Sequence, residues 1–303
     1  MLTPLQLEAR RHGVGGSDAA AVLGLSPYRT PLDVFMEKTG EIDPPDLRDV
    51  EAVHWGNVLE DVVAREFAAR EGVKVRRVNR TLRHQDPRLD FMLAHIDRQI
   101  VGEHVGLEIK TTSPFVTRDL GRDGSDQIPD QWLLQVAHYL EVTGWDAFYV
   151  AALVGGQRLR IYRIERDPDL ADMIVEKETW FWRECVEKRM PPPPTTVDDL
   201  ALLYAADNGG TVETTPAVSQ ALRDLKTLKA TRKELETRIE ELEFEVKAHL
   251  GEAATLVDAD GYTLATWKSQ TATRLDQTRL KAEAPDVYAQ YTTESSYRVL
   301  RIK

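Results

Sequence analysis

The stretch "LAHIDRQIVGEHVGLEIK" (93–110) sets Asp97 about ten residues ahead of a Glu-x-Lys triplet, Glu108 and Lys110. Gly102 and Glu103 fall midway between Asp97 and Glu108, so an antiparallel hairpin brings the two carboxylates opposite each other. Side chains alternate along a strand, which puts Lys110 on the face of Glu108 and turns Ile109 to the layer behind. Facing carboxylates repel unless something cationic lies between them, and a divalent metal supplies that charge. The pattern is short enough to arise by chance in a chain of this length, and an exposed, ion-paired hairpin is the competing interpretation. Phe91, Leu93, Leu107 and Ile109 frame the charged residues and indicate central strands, where such groups are not simply solvated.

Two flanking segments must position further groups. "VHWGNVLEDVVAREFAAREG" carries Trp55, Leu59, Val62, Val63 and Phe67 at helical spacing and stops at Gly72. Glu60 lies on that helix between Gly56 and Ala64, small residues that permit close approach of another backbone; the plainer reading is a surface glutamate. A second helix, "PDQWLLQVAHYLEVTG", aligns Trp132, Gln135 and Tyr139 on one face, where the Gln135 amide requires a polar partner. His95 shares the face of Asp97 and reads as a structural histidine. One continuous strand is expected over "DFMLAHIDRQI", with others at "VGLEIKTT", "AFYVAALVGG" and "RLRIYRIE". The order of elements predicts an α+β or α/β fold with a central sheet flanked by helices.

Near the N-terminus, "GVGGSDAAAVLG" opens a short helix with Ser17 as the expected N-cap, Asp18 in the first turn and Gly24 as the stop. The preceding segment reads as helix, and no Gly-Lys-Ser/Thr ending follows, so neither a dinucleotide fingerprint nor a nucleotide P-loop is indicated. Net charge is -11, which repels nucleic acid at long range, so contact with DNA requires basic residues gathered locally. "VKVRRVNRTLRH" gathers Lys74, Arg76, Arg77, Arg80 and Arg83, either for that purpose or as a charge-protected edge strand. The single cysteine, Cys185, excludes intrachain disulfides and polythiolate zinc sites. No apolar run reaches the ~20 residues of a membrane span and no signal peptide is evident, so a cytoplasmic protein is expected.

"MPPPPTT" marks a stiff connector. It divides residues 1–190 from a 191–215 linker and a 216–303 tail. In the tail, Leu228, Leu235 and Leu242 recur every seven residues with Ile239 and Val246 between them, as in a helical hairpin or a coiled coil. A β-hairpin about Asp260-Gly261 and a strand at "YRVLRIK" are expected to follow.

Five blocks in order, "GVGGSDAAAVLGLSPY", "WGNVLEDVVAREF", "MLAHIDRQI", "GLEIKTT" and "IPDQWLLQVAHYLEVTG", resemble the YqaJ-like viral recombinases. These are relatives of lambda-type phage exonuclease within the PD-(D/E)xK nuclease superfamily. The resemblance spans about the first 190 residues and implies a restriction-endonuclease-like core. It implies that Asp97, Glu108 and the Ile109 carbonyl ligate Mg²⁺ or Mn²⁺, and that Lys110 orients or deprotonates the attacking water. Glu60 then supports a second metal or its water shell, and Gln135 holds the lysine, water or phosphate. Ser17 with Arg10 or Arg11 would take a terminal 5′ phosphate. Trp132 stands where the lambda-type enzyme has a tyrosine and, with Arg76 and Arg80, is a candidate DNA contact. Hard oxygen ligands suit Mg²⁺, and no His/Cys cluster favours zinc. The implied activity is 5′-to-3′ digestion of double-stranded DNA ends in a phage or prophage setting, with a single-strand annealing protein as partner and a ring trimer as assembly. An endonuclease and a catalytically silent DNA-binding protein are the alternatives.

Overall fold

A computed structural model describes residues 4–44, 46, 49–294 and 296–302. The chain forms two compact units, Met1–Leu203 and Tyr204–Lys303.

The first unit begins with α1 (Pro4–Arg11), β1 (Val14–Gly15), α2 (Gly16–Val22), α3 (Pro31–Thr39) and α4 (Glu51–Glu71). The strands β2 (Val75–Arg77), β3 (Leu82–Arg83), β4 (Met92–Ala94), β5 (Arg98–Ile100) and β6 (Val105–Thr112) follow. Helix α5 (Asp130–Thr143), β7 (Ala147–Val154), β8 (Arg158–Glu165), α6 (Pro168–Trp180) and α7 (Val197–Leu203) complete it. Local chemistry sets several ends. Thr30 and Asp33 form a reciprocal capping box on α3, and Gly72 and Gly144 adopt positive φ, 67° and 64°, to terminate α4 and α5.

A five-stranded mixed sheet runs β2-β5-β6-β7-β8, with β6 and β7 parallel and the other neighbours antiparallel. Val105, Leu107 and Ile109 face the apolar layer of Val63 and Phe67 from α4. Alternation sends Gly106, Glu108 and Lys110 to the opposite face, the side of Phe148, Val150 and α5. Gly106 is required there, because a Cβ would fall 2.2 Å from the Phe148 ring. A smaller sheet, β1-β4-β3, lies in the same unit.

The strand expected over "DFMLAHIDRQI" is two strands. β4 pairs in the small sheet and β5 in the large one, and His95, Ile96 and Asp97 form the crossing between them. Helix α4 buries Val63, Ala64 and Phe67, whereas Trp55 and Val62 of the expected apolar stripe are exposed. Beyond the prolines, α7 returns to the first unit. Asp199 is buried and accepts from Thr30 Oγ1 at 2.8 Å and from the Thr195 amide at 2.7 Å.

In the second unit α8 (Pro216–Leu250) is one unbroken helix capped by Thr215, and Leu228, Leu235, Ile239 and Leu242 along it are exposed. A hairpin of β9 (Thr255–Val257) and β10 (Thr263–Thr266) turns at Gly261, φ 85°. Two short helices, α9 (Gln277–Glu283) and α10 (Pro285–Gln290), come next. "YRVLRIK", expected as a strand, forms none among the described residues.

Candidate active site

The crossing between the sheets places the first acid. The β5–β6 ladder ends at the pair Arg98–Leu107, so the next opposed pair is Asp97 and Glu108, the juxtaposition expected from the sequence. Asp97 Oδ2 accepts from the Ile109 amide at 2.8 Å, taking the place of a strand partner where β5 has ended. A residue's N–H and C=O lie on the same edge of a strand, so the Ile109 carbonyl also points toward this gap.

Glu108 is only 5% exposed and forms a closed set with Lys110 and Gln135. Lys110 Nζ donates to Glu108 Oε1 at 2.8 Å and to Gln135 Oε1 at 2.7 Å, while Gln135 Nε2 donates to Glu108 Oε1 at 2.7 Å. Gln135 Nε2 also donates to Tyr139 Oη at 3.0 Å, and that hydroxyl donates to the His95 carbonyl at 3.0 Å. Reversing the Gln135 amide would set its oxygen against Glu108 and its nitrogen against Lys110, so the network fixes its orientation. Glu108 Oε2 is buried and has no hydrogen-bond partner. An orphaned carboxylate oxygen carries a desolvation penalty of about 1–3 kcal/mol or more, which a cation would relieve. Burial, and then the charge of Glu108, push the Asp97 carboxyl well above its ordinary range, outweighing the bond from Ile109. The buried Glu108 carboxylate, the half-buried Asp97 and a directed carbonyl thus fit a hard dication. Among the described residues no three acidic, histidine or cysteine side chains converge into a ready-made cage, and Mg²⁺ characteristically completes its shell with water.

Glu60 comes from α4, on the other face of the sheet. It joins the acidic pair through Arg98, whose Nη1 donates to Glu60 Oε1 at 2.5 Å and to the Asp97 carbonyl at 2.7 Å. Nη2 of the same guanidinium reaches Asp61 Oδ1 at 2.6 Å. Where α4 crosses β6, a Cβ on Gly56 would lie 3.5 Å from Thr111 Oγ1, ordinary van der Waals contact, so the crossing does not require a glycine there.

A basic pocket adjoins this cluster. Arg10 donates to Ser17 Oγ and lies 3.4 Å from Asp18 Oδ1, whereas Arg11 points away to Asp43 at 3.7 Å. Arg10 is therefore the arginine directed at Ser17. Ser17 is not the N-cap of α2. Gly15 holds that position, and its amide donates to Asp18 Oδ2 at 3.2 Å. Asp18 is fully buried beneath Arg10, Arg29 and Lys38, with Lys38 Nζ at 2.8 Å. Burial opposes its ionisation, but Lys38, Arg10 and Arg29 outweigh burial and hold the carboxyl far below the usual range. Gly16 packs on the Tyr139 ring so closely that a Cβ would fall 2.4 Å from Cε1, which seats this pocket directly on the residue that orients Gln135. His95 bonds Thr81 Oγ1 at 2.8 Å, and burial together with Arg10 lowers it to about 4. It is a neutral structural group at ordinary pH.

A model of the YqaJ-like viral recombinase domain matches residues 6–146. Over 301 residues the chain is 36% identical to the uncharacterized protein YqaJ of Bacillus subtilis (strain 168), covering 97% of this chain and 92% of that protein. The chain belongs to the YqaJ family. Among solved structures, the alkaline exonuclease LHK-Exo of Laribacter hongkongensis aligns with a TM-score of 0.50 at 18% identity, over 62% of this chain and 94% of that one. LHK-Exo in complex with dAMP gives the same TM-score and identity, over 67% and 98%. Identity at that level establishes a shared fold, the restriction-endonuclease-like sheet flanked by helices.

In this YqaJ-family chain the structure gathers Asp97, Glu108, Lys110 and Gln135 directly, Glu60 through Arg98, and Arg10 with Ser17 beside them. Trp132 is only 8% exposed and lies in the core, not on a ligand-facing surface. Arg76 is exposed on the edge strand β2 and bonds Gln99 at 2.7 Å, and Arg80 is exposed in the following loop. Arg98, Tyr139 as the anchor of Gln135, and Arg29 and Lys38 beneath the basic pocket were not singled out from sequence. Tyr139 alone carried a usable signal, its spacing of four from Gln135.

Proposed function

We propose that this protein is a metal-dependent deoxyribonuclease, a hydrolase of phosphodiester bonds that digests double-stranded DNA from 5′ ends. The observation that carries the reading is the opposed Asp97–Glu108 pair, in which the buried Glu108 Oε2 is unpartnered, with Lys110 locked at its edge. Asp97, Glu108 and the Ile109 carbonyl would hold Mg²⁺ or Mn²⁺, with Glu60 in reach of a second ion or its waters. Such an ion neutralises phosphate charge and makes water nucleophilic near neutral pH. An ammonium has three donors and two of those on Lys110 are engaged, which leaves one N–H for an incoming water or phosphate oxygen. Gln135 keeps that amine in place and Tyr139 keeps Gln135 in place. Arg10 and Ser17, next to Gly16 where it packs on the Tyr139 ring, would supply a charged and a neutral donor for a terminal 5′ phosphate. A ring trimer and a single-strand annealing partner, in a phage or prophage setting, accord with family membership.

The test compares linear duplex with and without 5′ phosphates against closed circular DNA, each with Mg²⁺ or with EDTA. Mg²⁺-dependent loss of 5′-phosphorylated linear DNA alone is expected. Cutting of closed circles would make it an endonuclease, and no hydrolysis of any substrate would leave a DNA-binding protein.

A further inference from the structure

Among the described residues of the first unit, Arg98 stands apart in being deeply buried, 4% exposed, and shared among three oxygens of the acidic region. A guanidinium cannot lose its charge, so burying one is unfavourable unless carboxylates and carbonyls compensate it. Here the compensation is specific. One nitrogen, Nη1, is divided between the Glu60 carboxylate on α4 and the main-chain carbonyl of Asp97, and the other takes Asp61. Asp61 is held from outside by Arg77 as well, at 2.6 Å, so the exposed half of the network has a second anchor. Glu60 pairs with Arg98 at 2.5 Å and, more distantly, with Arg77 at 4.0 Å. Arg98 Nη1 thus bridges the Glu60 carboxylate to the Asp97 main chain directly.

We propose that Arg98 is a positioning residue for the metal site: it fixes the Glu60 carboxylate and the Asp97 main chain in one geometry, and offsets their charge without entering the space between Asp97 and Glu108. Its chemistry selects arginine. A lysine ammonium is a point charge on a flexible stem and cannot serve both carboxylates and the carbonyl in a fixed fork. Residues behind the ligands that orient them in this way typically contribute about 10–100-fold in metal affinity. The inference rests on the proposed metal dependence.

The experiment measures Mn²⁺ binding to metal-stripped full-length protein by calorimetry, with the unfolding midpoint recorded for each variant. Asp97→Asn is expected to abolish binding. Retention of wild-type affinity by that variant would overturn the metal reading itself. Arg98→Lys is expected to weaken Mn²⁺ binding by about tenfold or more, with DNA hydrolysis partly restored at high metal concentration. Glu60→Gln is expected to weaken binding as well, and Arg98→Lys should cost less in the Glu60→Gln background than alone, because part of what Arg98 does passes through that carboxylate. Unchanged or tighter Mn²⁺ binding in Arg98→Lys, whatever happens to its unfolding midpoint, would reduce Arg98 to a clip between α4 and β5. Full additivity with Glu60→Gln would also overturn the proposal, while binding lost in Asp97→Asn would leave the metal reading standing.

Discussion

A single carboxylate oxygen, Glu108 Oε1, accepts from both Lys110 and Gln135, and this shared bond makes the cluster act as a unit. Replacing Lys110 by Met removes the amine but keeps the volume of its stem. DNA hydrolysis is expected to fall by at least about a hundredfold with the far-ultraviolet circular dichroism unchanged, and activity near wild type would exclude the lysine from catalysis. Tyr139→Phe is subtler. It leaves the His95 carbonyl without its bond and Gln135 with one anchor fewer, so stability should drop by about 1–2 kcal/mol and the rate by up to about tenfold. A stability loss with no change in rate would make the tyrosine purely structural. At this scale the Asp97, Glu108 and Lys110 triplet was legible because strand alternation fixes which side chains share a face. Arg98 was not, since its partner Glu60 is 38 positions away on a helix, and nothing in local spacing connects them. Trp132 shows the opposite failure: it shares a helix face with Gln135, but that face passes from site to core within one turn.

The elements that seat the basic pocket are α1, α2 and α3, joined at Asp18. Asp18→Asn would leave the wholly buried Lys38 ammonium to the Arg10 carbonyl at 2.7 Å and the more distant Glu37 carboxylate at 3.9 Å. A loss of about 3–5 kcal/mol of unfolding free energy is expected at pH 7. Because the folded carboxyl is held below its unfolded value of 3.8, its stabilisation is complete above that value and is lost as pH falls below it. The gap between wild type and variant in denaturant titrations should therefore stay constant from pH 7 to about pH 5 and narrow only in stronger acid. A gap that closed between pH 7 and 6 would mean that another group carries the linkage. Element types and ends were largely readable where the chain supplies its own signals, such as the glycines after α4 and α5. They were misread where a partner decides. "DFMLAHIDRQI" reads as one strand, yet its halves pair in different sheets, and Asp97 can accept from the Ile109 amide of β6 because the strand breaks there. Ser17 looked like a cap from type alone, but the bond from the Gly15 amide to Asp18 places the cap two residues earlier.

Every group assigned to the chemistry, from Arg10 to Tyr139, lies within Met1–Leu203, although the chain continues for another hundred residues. The division has a physical basis. Residues 205–215 carry no helix or strand and are exposed, which is the kind of segment that proteases enter first. The second unit has its own long helix and hairpin, with exposed Leu228, Leu235 and Ile239 along α8. Leucines on a heptad were visible in the sequence, but their exposure in the fold was not, since spacing alone does not say which surface packs against them. Limited proteolysis of the full chain should accordingly cut first between 205 and 215. The N-terminal fragment, once isolated, should bind Mn²⁺ within about twofold of the intact chain, because no ligand or ligand-orienting residue has been removed. Its rate on 5′-phosphorylated duplex then measures what residues 204–303 add to handling DNA, separately from bond cleavage. Loss of Mn²⁺ binding in a fragment that still unfolds cooperatively would place part of the metal site beyond Leu203, and the cluster around Glu108 would no longer suffice.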